Sequence, residues 1–313
     1  MTAVAKSPER RCNFQRRSFP FESARCAFKA YMQAIGLSQD DEVLLPCYIG
    51  WSSREGSGVF DPIEQLGVRY SFYRISQTLQ VDLDDVKAKI QARRPRLLVL
   101  IHYFGFPDPN ADALCKFARD NNVLVLEDEA HAMLSDQVGG ICGRSGDAAI
   151  YSMHKLLPFT QGGRLVLNTN NHEETMEMMG RPMDDDSAQF FRDYDLYRIS
   201  LRRRENASFL LESLRDADLP LEPLYGSLPM GVVPQSLPVV INRGSRDDLY
   251  FQMNAHGYGV VSLYHTLIDQ IRPEDFPDSH RLSRHIMNLP VHQDTDRQAL
   301  GNLMECLTRL LKC

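Results

Sequence analysis

The chain has 313 residues, 43% of them hydrophobic and 24% charged, with a formal net charge of -6. These are ordinary globular values that exclude a fibrous or disordered chain, and the acidic balance argues against a surface built to hold nucleic acid. The length suits two structural lobes, since a single core stops growing near roughly 250–300 residues, and no run reaches the roughly 18 apolar residues that a membrane span needs.

The opening MTAVAKSPERRCNFQRR has no apolar centre of signal-peptide type and reads as a polar leader over residues 1–20. SARCAFKAYMQAI follows, placing Ala27, Phe28, Tyr31 and Ile35 on one helical stripe with Gly36 as a stop. EVLLP is a short buried strand, VRYSFYRI another, and VDLDDVKAKIQARR a capped, polar-faced helix. RLLVLIHYFG is a strong strand, followed by the helix ADALCKFARDNN, the strand VLVLED and the strand AAIYSMH. This alternation predicts an α/β large domain over residues 21–200, with a mainly parallel sheet flanked by helices and functional groups at the carboxyl ends of its strands. Past Asn168 the chain becomes acidic, and a helix from about Asp193 to Leu214 is expected to bridge to a smaller α+β domain over residues 201–313. LPVVIN, GYGVVSLY and IMNLPV are its expected strands, and DRQALGNLMECLTRLL its final helix. Seven cysteines (Cys12, Cys26, Cys47, Cys115, Cys142, Cys306 and Cys313) are odd in number and lack a CxxC pair. That favours reduced thiols and a cytoplasmic protein over a disulfide frame or a zinc site.

The chemistry concentrates between Leu124 and Gly163. Asp128 closes one apolar strand, Lys155 stands just beyond the next, and Gly162-Gly163 follows. An acid, a lysine and a glycine pair in that order form the polar skeleton of a pyridoxal 5'-phosphate site. Asp128 would hold the pyridine nitrogen and keep the ring cationic, and Lys155 would carry the aldehyde as a Schiff base. The plainer readings are a helix-capping acid and a surface lysine. Ser23, Ala24 and Arg25 open the first helix, where free amides favour a phosphate, although Ser23 could simply cap that helix. Ser152 could add a hydroxyl. Tyr48 and Trp51, the sole tryptophan, compete to cover the cofactor ring, with Trp51 preferred. His131 could touch the ring or its phenolic oxygen, or serve as a structural hydrogen-bonder. His265 is a further candidate from the small lobe. Arg181, Arg198 and Arg202 could meet a diphosphate or a donor carboxylate, but a solvated helix face explains them equally well.

The chain resembles the DegT-type family of fold-type-I pyridoxal-phosphate aminotransferases, through SARCAFKAYMQAIGLSQDDEVLLP, HYFGFP, VLEDEAHA, SGDAAIYSMHKLLPFTQGG, RRRENASFL and HIMNLPVHQ. The resemblance implies a seven-stranded sheet, Asp128 on the pyridine nitrogen, Lys155 as the Schiff-base lysine, His131 near the ring oxygen, Ser152 on the phosphate and Ser23-Ala24-Arg25 as the phosphate turn. It also implies a homodimer with each site completed by the partner subunit. The implied activity is transfer of an amino group from an amino acid, glutamate being the expected donor, to a keto-sugar nucleotide in polysaccharide or secondary-metabolite biosynthesis. Three departures stand out. Ser152 and Lys155 are two residues closer than the family pattern, the region after Asn168 is short, and His154 adjoins Lys155, where dehydratase relatives carry a histidine in place of the lysine. A dehydratase and a non-catalytic cofactor-binding regulator are therefore the competing readings.

Overall fold

The computed structural model describes residues 16–159, 161–169, 171–179 and 194–312. Its larger sheet has seven strands: β1 (Ser18–Phe21), β2 (Glu42–Pro46), β3 (Arg69–Tyr73), β4 (Leu97–Ile101), β5 (Leu124–Asp128), β6 (Ala148–Ser152) and β7 (Gly163–Leu167), in spatial order β1-β7-β6-β5-β4-β2-β3. The five strands from β3 to β6 run parallel, and β7 and β1 add an antiparallel edge. β2, β4 and β6 are buried at every position. A parallel strand covered on both faces has to be apolar throughout, which is why these runs show no alternation.

The helices that cover the sheet are α1 (Ala24–Ala34), α2 (Phe60–Leu66), α3 (Leu83–Arg93), α4 (Ala111–Asp120), α5 (Met133–Gln137) and α6 (Glu173–Met179). Two start where side-chain caps are readable. Ser23 accepts from the Cys26 amide, and Asp82 accepts from the amides of Asp84 and Asp85. The polar leader ends sooner than residue 20, because Ser18–Phe21 already pairs with β7. Arg16 is anchored as well, by hydrogen bonds to Asp136, Tyr151, Asn168 and the Gly143 carbonyl.

The bridging helix is α7 (Leu196–Ala217), and the expected boundary between residues 200 and 201 falls inside it. Its first turns pack Leu196 and Ile199 with Met153, Leu156 and Leu157 of the large sheet's site region. Its later turns bury Ala207, Leu210, Leu211 and Leu214 in a second core. That core covers an antiparallel sheet of β8 (Leu221–Pro223), β9 (Ser236–Ile241) and β10 (Ile286–Pro290), in order β10-β9-β8. It also takes in α8 (Arg246–Ala255) and α10 (Arg297–Lys312), while α9 (Pro277–His285) leads into β10. GYGVVSLY is not a strand. It makes one bridge, Val261 with Asn288, and then turns at Tyr264 with φ of 59°. No described helix is long and apolar enough to cross a membrane.

Candidate active site

The parallel register aligns Ile101, Asp128 and Ile150, so Asp128 closes β5 at the sheet's carboxyl edge. It is only 6% exposed, and one carboxylate oxygen accepts from the Ala130 amide at 2.9 Å. Burial raises its pKa, opposed by the charge of Lys155 and by that amide bond. Lys155 ends a 3-10 turn, Met153–Lys155, that leaves β6 directly. The residue is exposed, and its amine lies 3.1 Å from Nε2 of buried His131. Enclosure of the amine pulls its pKa below the ordinary lysine value, more than the carboxylates of Asp128 and Glu55 restore. His131 is pushed well below the ordinary histidine value by burial and by Lys155. Of the sequence-predicted trio, Lys155 therefore contacts His131 directly and feels the charge of Asp128.

The glycine pair explains the other half of the site. Gly163 is the cross-strand partner of Ser152. A Cβ on Gly163 would fall 2.0 Å from the carbonyl carbon of Ser23 and 2.4 Å from the Ala24 nitrogen. The Gly162 amide also donates to the Glu22 carbonyl at 2.8 Å. Only glycine lets β7 begin this close to the start of α1, and the approach brings buried Ser152 beside Ser23 and Ala24. Of the first-turn amides of α1, that of Cys26 is capped by Ser23, and those of Ala24 and Arg25 lie at the positive end of the dipole without helical partners. Arg25 turns away from them, donating to the Glu55 carbonyl and pairing with Asp61 at 3.2 Å. The Ser152 hydroxyl lies 3.4 Å from Nδ1 of His154. A buried carboxylate, an enclosed amine and an anion seat lined by amides and a hydroxyl fit a pyridine ring that bears an aldehyde and a phosphate.

The aromatic expectation fares differently. Trp51 is 45% exposed, its amide donates to the Thr266 carbonyl, and its ring stacks on no described ring. Tyr48 is fully buried and stacks on Tyr264, with centroids 5.2 Å apart. Tyr264 reaches His131 edge-on at 5.8 Å, while Phe104 stacks on its face, and sequence reasoning missed Tyr264 for its exposed neighbour His265. Arg198 and Arg202 are exposed, and Arg202 pairs with Glu205. Arg181 lies outside the described residues. The arginine that matters locally is Arg203, 1% exposed, which donates to Gln293 Oε1 at 2.8 Å and to the Gln235 carbonyl at 2.9 Å, with the Leu156 carbonyl 3.4 Å away. Its signal was present. Ile199, Arg203, Ala207, Leu210 and Leu214 form one helical stripe, in which Arg203 is the polar member.

Behind Asp128, His102, Glu127 and Glu129 form a fully buried cluster. His102 Nδ1 accepts from the Asp108 amide at 3.0 Å, so the ring proton sits on Nε2, donated to Glu127 at 2.9 Å. That leaves Nε2 without a lone pair for a cation. Cys47, buried against the Ser279 hydroxyl at 3.2 Å, is a packed thiol away from this chemistry.

Fold and donor set together define a fold-type-I pyridoxal-phosphate enzyme scaffold. The aminotransferase TlmJ from Streptoalloteichus hindustanus superposes with a TM-score of 0.77 at 22% identity, covering 94% of this chain and 86% of that one. The Escherichia coli GDP-4-keto-6-deoxy-D-mannose-3-dehydratase, solved with bound hydrated pyridoxal phosphate, superposes with a TM-score of 0.72 at 17% identity, covering 94% and 88%. Residues 16–193 match the DegT/DnrJ/EryC1/StrS aminotransferase family, and the chain belongs to it. The cofactor of this class is pyridoxal 5'-phosphate. In sequence, the chain is 31% identical over 144 residues to dTDP-4-dehydro-2,3,6-trideoxy-D-glucose 4-aminotransferase of Saccharopolyspora spinosa, a match covering 45% of this chain and 35% of that enzyme. The matches span about a third of the length of the curated relatives, from 25% to 41%.

Proposed function

We propose that the protein is an aminotransferase that moves an amino group from an amino acid, with glutamate the expected donor, to a keto-sugar nucleotide in two ping-pong half reactions. The observation that carries this reading is the contact of Lys155 with His131, under the charge of Asp128, beside the seat made by Ser23, Ala24 and Ser152. Pyridoxal phosphate, when bound, supplies the electron sink that stabilises negative charge at the substrate α-carbon. Asp128 keeps the pyridine nitrogen protonated through its buried carboxylate. The α1 amides, with Ser152, orient the cofactor through its phosphate. Lys155 would hold the cofactor at its aldehyde, and its Nζ would carry the proton at the substrate α-carbon. His131 sits against that amine and fixes its direction.

Lysine, and not the adjacent histidine, occupies the position beside Asp128 and His131. His154 is exposed and turned to Ser152. That supports transamination over the dehydratase reading. The acceptor class rests on the named activity of the Saccharopolyspora relative. A homodimer whose sites are completed by the partner subunit, acting in the cytoplasm, completes the proposal. The test is absorbance of the purified protein with added pyridoxal phosphate, before and after glutamate, beside Lys155→Ala. Support requires a visible band that depends on Lys155 and that glutamate converts to the pyridoxamine form. A Lys155-dependent band that no amino donor shifts would replace this reading with the cofactor-binding regulator.

A further inference from the structure

His131 is bonded at both ring nitrogens, and the two bonds together carry information about Lys155. The Phe104 amide donates to Nδ1 at 3.3 Å. A nitrogen that accepts cannot carry a proton, so the neutral ring holds its proton on Nε2. Nε2 faces the Lys155 amine at 3.1 Å. An ammonium has three donors and no lone pair, and it would set proton against proton there. A free amine has the lone pair that Nε2–H requires. Both contacts are satisfied only when Lys155 is neutral. Double protonation of His131 would break the Phe104 bond, and its enclosed site disfavours that charge.

The Phe104 turn is built to hold this arrangement. Phe104 has φ of 57° and ψ of 16°, a left-handed conformation that is unfavourable for an aromatic residue and persists only when its surroundings impose it. Its carbonyl accepts from the Gln235 amide at 2.8 Å, and the next carbonyl, of Gly105, accepts from Ser135 Oγ at 2.6 Å. Gly105 packs so closely that a Cβ would lie 2.4 Å from the Val233 oxygen. The Phe104 ring lies parallel to His131 at 5.8 Å, and Tyr264 closes edge-on over both. Arg203 grips the Gln235 carbonyl and approaches that of Leu156, so one guanidinium serves the Phe104 turn and the Lys155 turn together.

We propose that the Phe104 turn is a tautomer lock, which places the His131 proton on Nε2 and thereby holds Lys155 as the free amine before any cofactor arrives. Phe104 and Arg203 are positioning residues in this arrangement. Asp128 of β5 and Glu55 of the loop after β2 pull the amine toward ammonium, Arg25 of α1 pushes against them, and His154 is its chain neighbour. The lock decides among these by supplying a donor where an ammonium would need an acceptor. The free amine is the form that nucleophilic chemistry requires. The inference deepens the aminotransferase reading and rests on it only for the later use of the amine.

The test uses the full-length apoprotein and needs neither donor nor acceptor, so it fails independently of the transaminase assay. Nitrogen-15 NMR of histidine-labelled protein, with His131 assigned by loss of its signals in His131→Gln, should find Nδ1 unprotonated and Nε2 protonated at neutral pH. Competitive acetylation read by mass spectrometry should find a free-amine fraction at Lys155 at least about tenfold above those of exposed Lys116 and Lys312, the equivalent of one pKa unit. His131→Gln, which keeps a side-chain donor, should retain most of that excess, and His131→Met should lose about tenfold. Gly105→Ala, which displaces the turn, should do the same if it folds. A proton on Nδ1, or a labelling profile of Lys155 like those of Lys116 and Lys312, would overturn the lock even if every variant misfolds.

Discussion

Glu127, Asp128 and Glu129 are three consecutive carboxyl groups with three different fates. The pleat of β5 sends Asp128 to the crevice and its neighbours to the opposite face, around His102. Asp128 keeps one amide bond and feels the charge of Lys155. Glu127 is saturated. His102 Nε2 and the amides of Gly143, Ser145 and Gly146 all donate to it, and together they outweigh its burial and hold its carboxyl below the ordinary glutamate range. Glu129 has one hydrogen bond, from the Cys142 thiol at 3.2 Å, its other oxygen only approaches His102 Nε2 at 3.5 Å, and burial, more than that histidine restores, raises its pKa well above the usual value. Donor count, more than residue type, separates three carboxyl groups that are consecutive at the end of β5.

That contrast can be broken most severely at Glu127. Glu127→Gln replaces an acceptor oxygen by an NH2 facing other donors, and a loss of about 3–5 kcal/mol is expected in denaturant unfolding. Because the Glu127 pKa is depressed by folding, the stability it contributes is present above the ordinary carboxyl pKa and disappears as pH falls through the folded value. The lost stability should therefore converge with the wild type in acid. Asp128→Asn should instead fold normally and reduce the glutamate half reaction on the order of a hundred- to a thousandfold, read by stopped-flow absorbance. Unchanged kinetics would remove Asp128 from the chemistry.

Glu129→Gln gives the sharpest contrast with its neighbour, since a neutral acid and an amide are near-isosteric. A change of no more than about 1 kcal/mol is expected near pH 5. The folded state binds the Glu129 proton more tightly than the unfolded chain, so wild-type stability falls as pH rises from the ordinary carboxyl pKa toward the raised one. The variant should lack that slope and become the more stable protein at higher pH, and parallel pH profiles would contradict a neutral Glu129. Ser152→Ala carries the smallest expectation, about a tenfold loss of pyridoxal-phosphate affinity in equilibrium dialysis, worth one charge-assisted hydrogen bond.

The parallel strands were legible because burial on both faces leaves an unbroken apolar run that ends where polar chemistry begins, as at LVLED and AAIYS. The cap at Ser23 and the bridging α7 were legible for equally local reasons. β1 and β7 were not anticipated as strands, because an edge pair four or five residues long leaves little periodicity to read. Tyr264 was missed because no pattern marks a loop residue with a left-handed backbone. Its place depends on Gly50, whose missing Cβ would lie 2.9 Å from the Tyr264 ring. Arg203 hid in the run RRRENA, where three like residues point in three directions along a helix. Only the burial stripe distinguishes the one that turns inward.

The oxygen shell of Arg203 also sets an order of assembly. Its guanidinium gathers oxygens from Leu156, Pro234, Gln235 and Gln293, segments up to 137 residues apart. Contacts of such long sequence separation form late, because loop closure has to precede them. During synthesis, the lysine-bearing turn would lack its complete clamp until Gln293 had left the ribosome. The nascent large sheet can thus gather its strands long before the Lys155 turn is fully clamped.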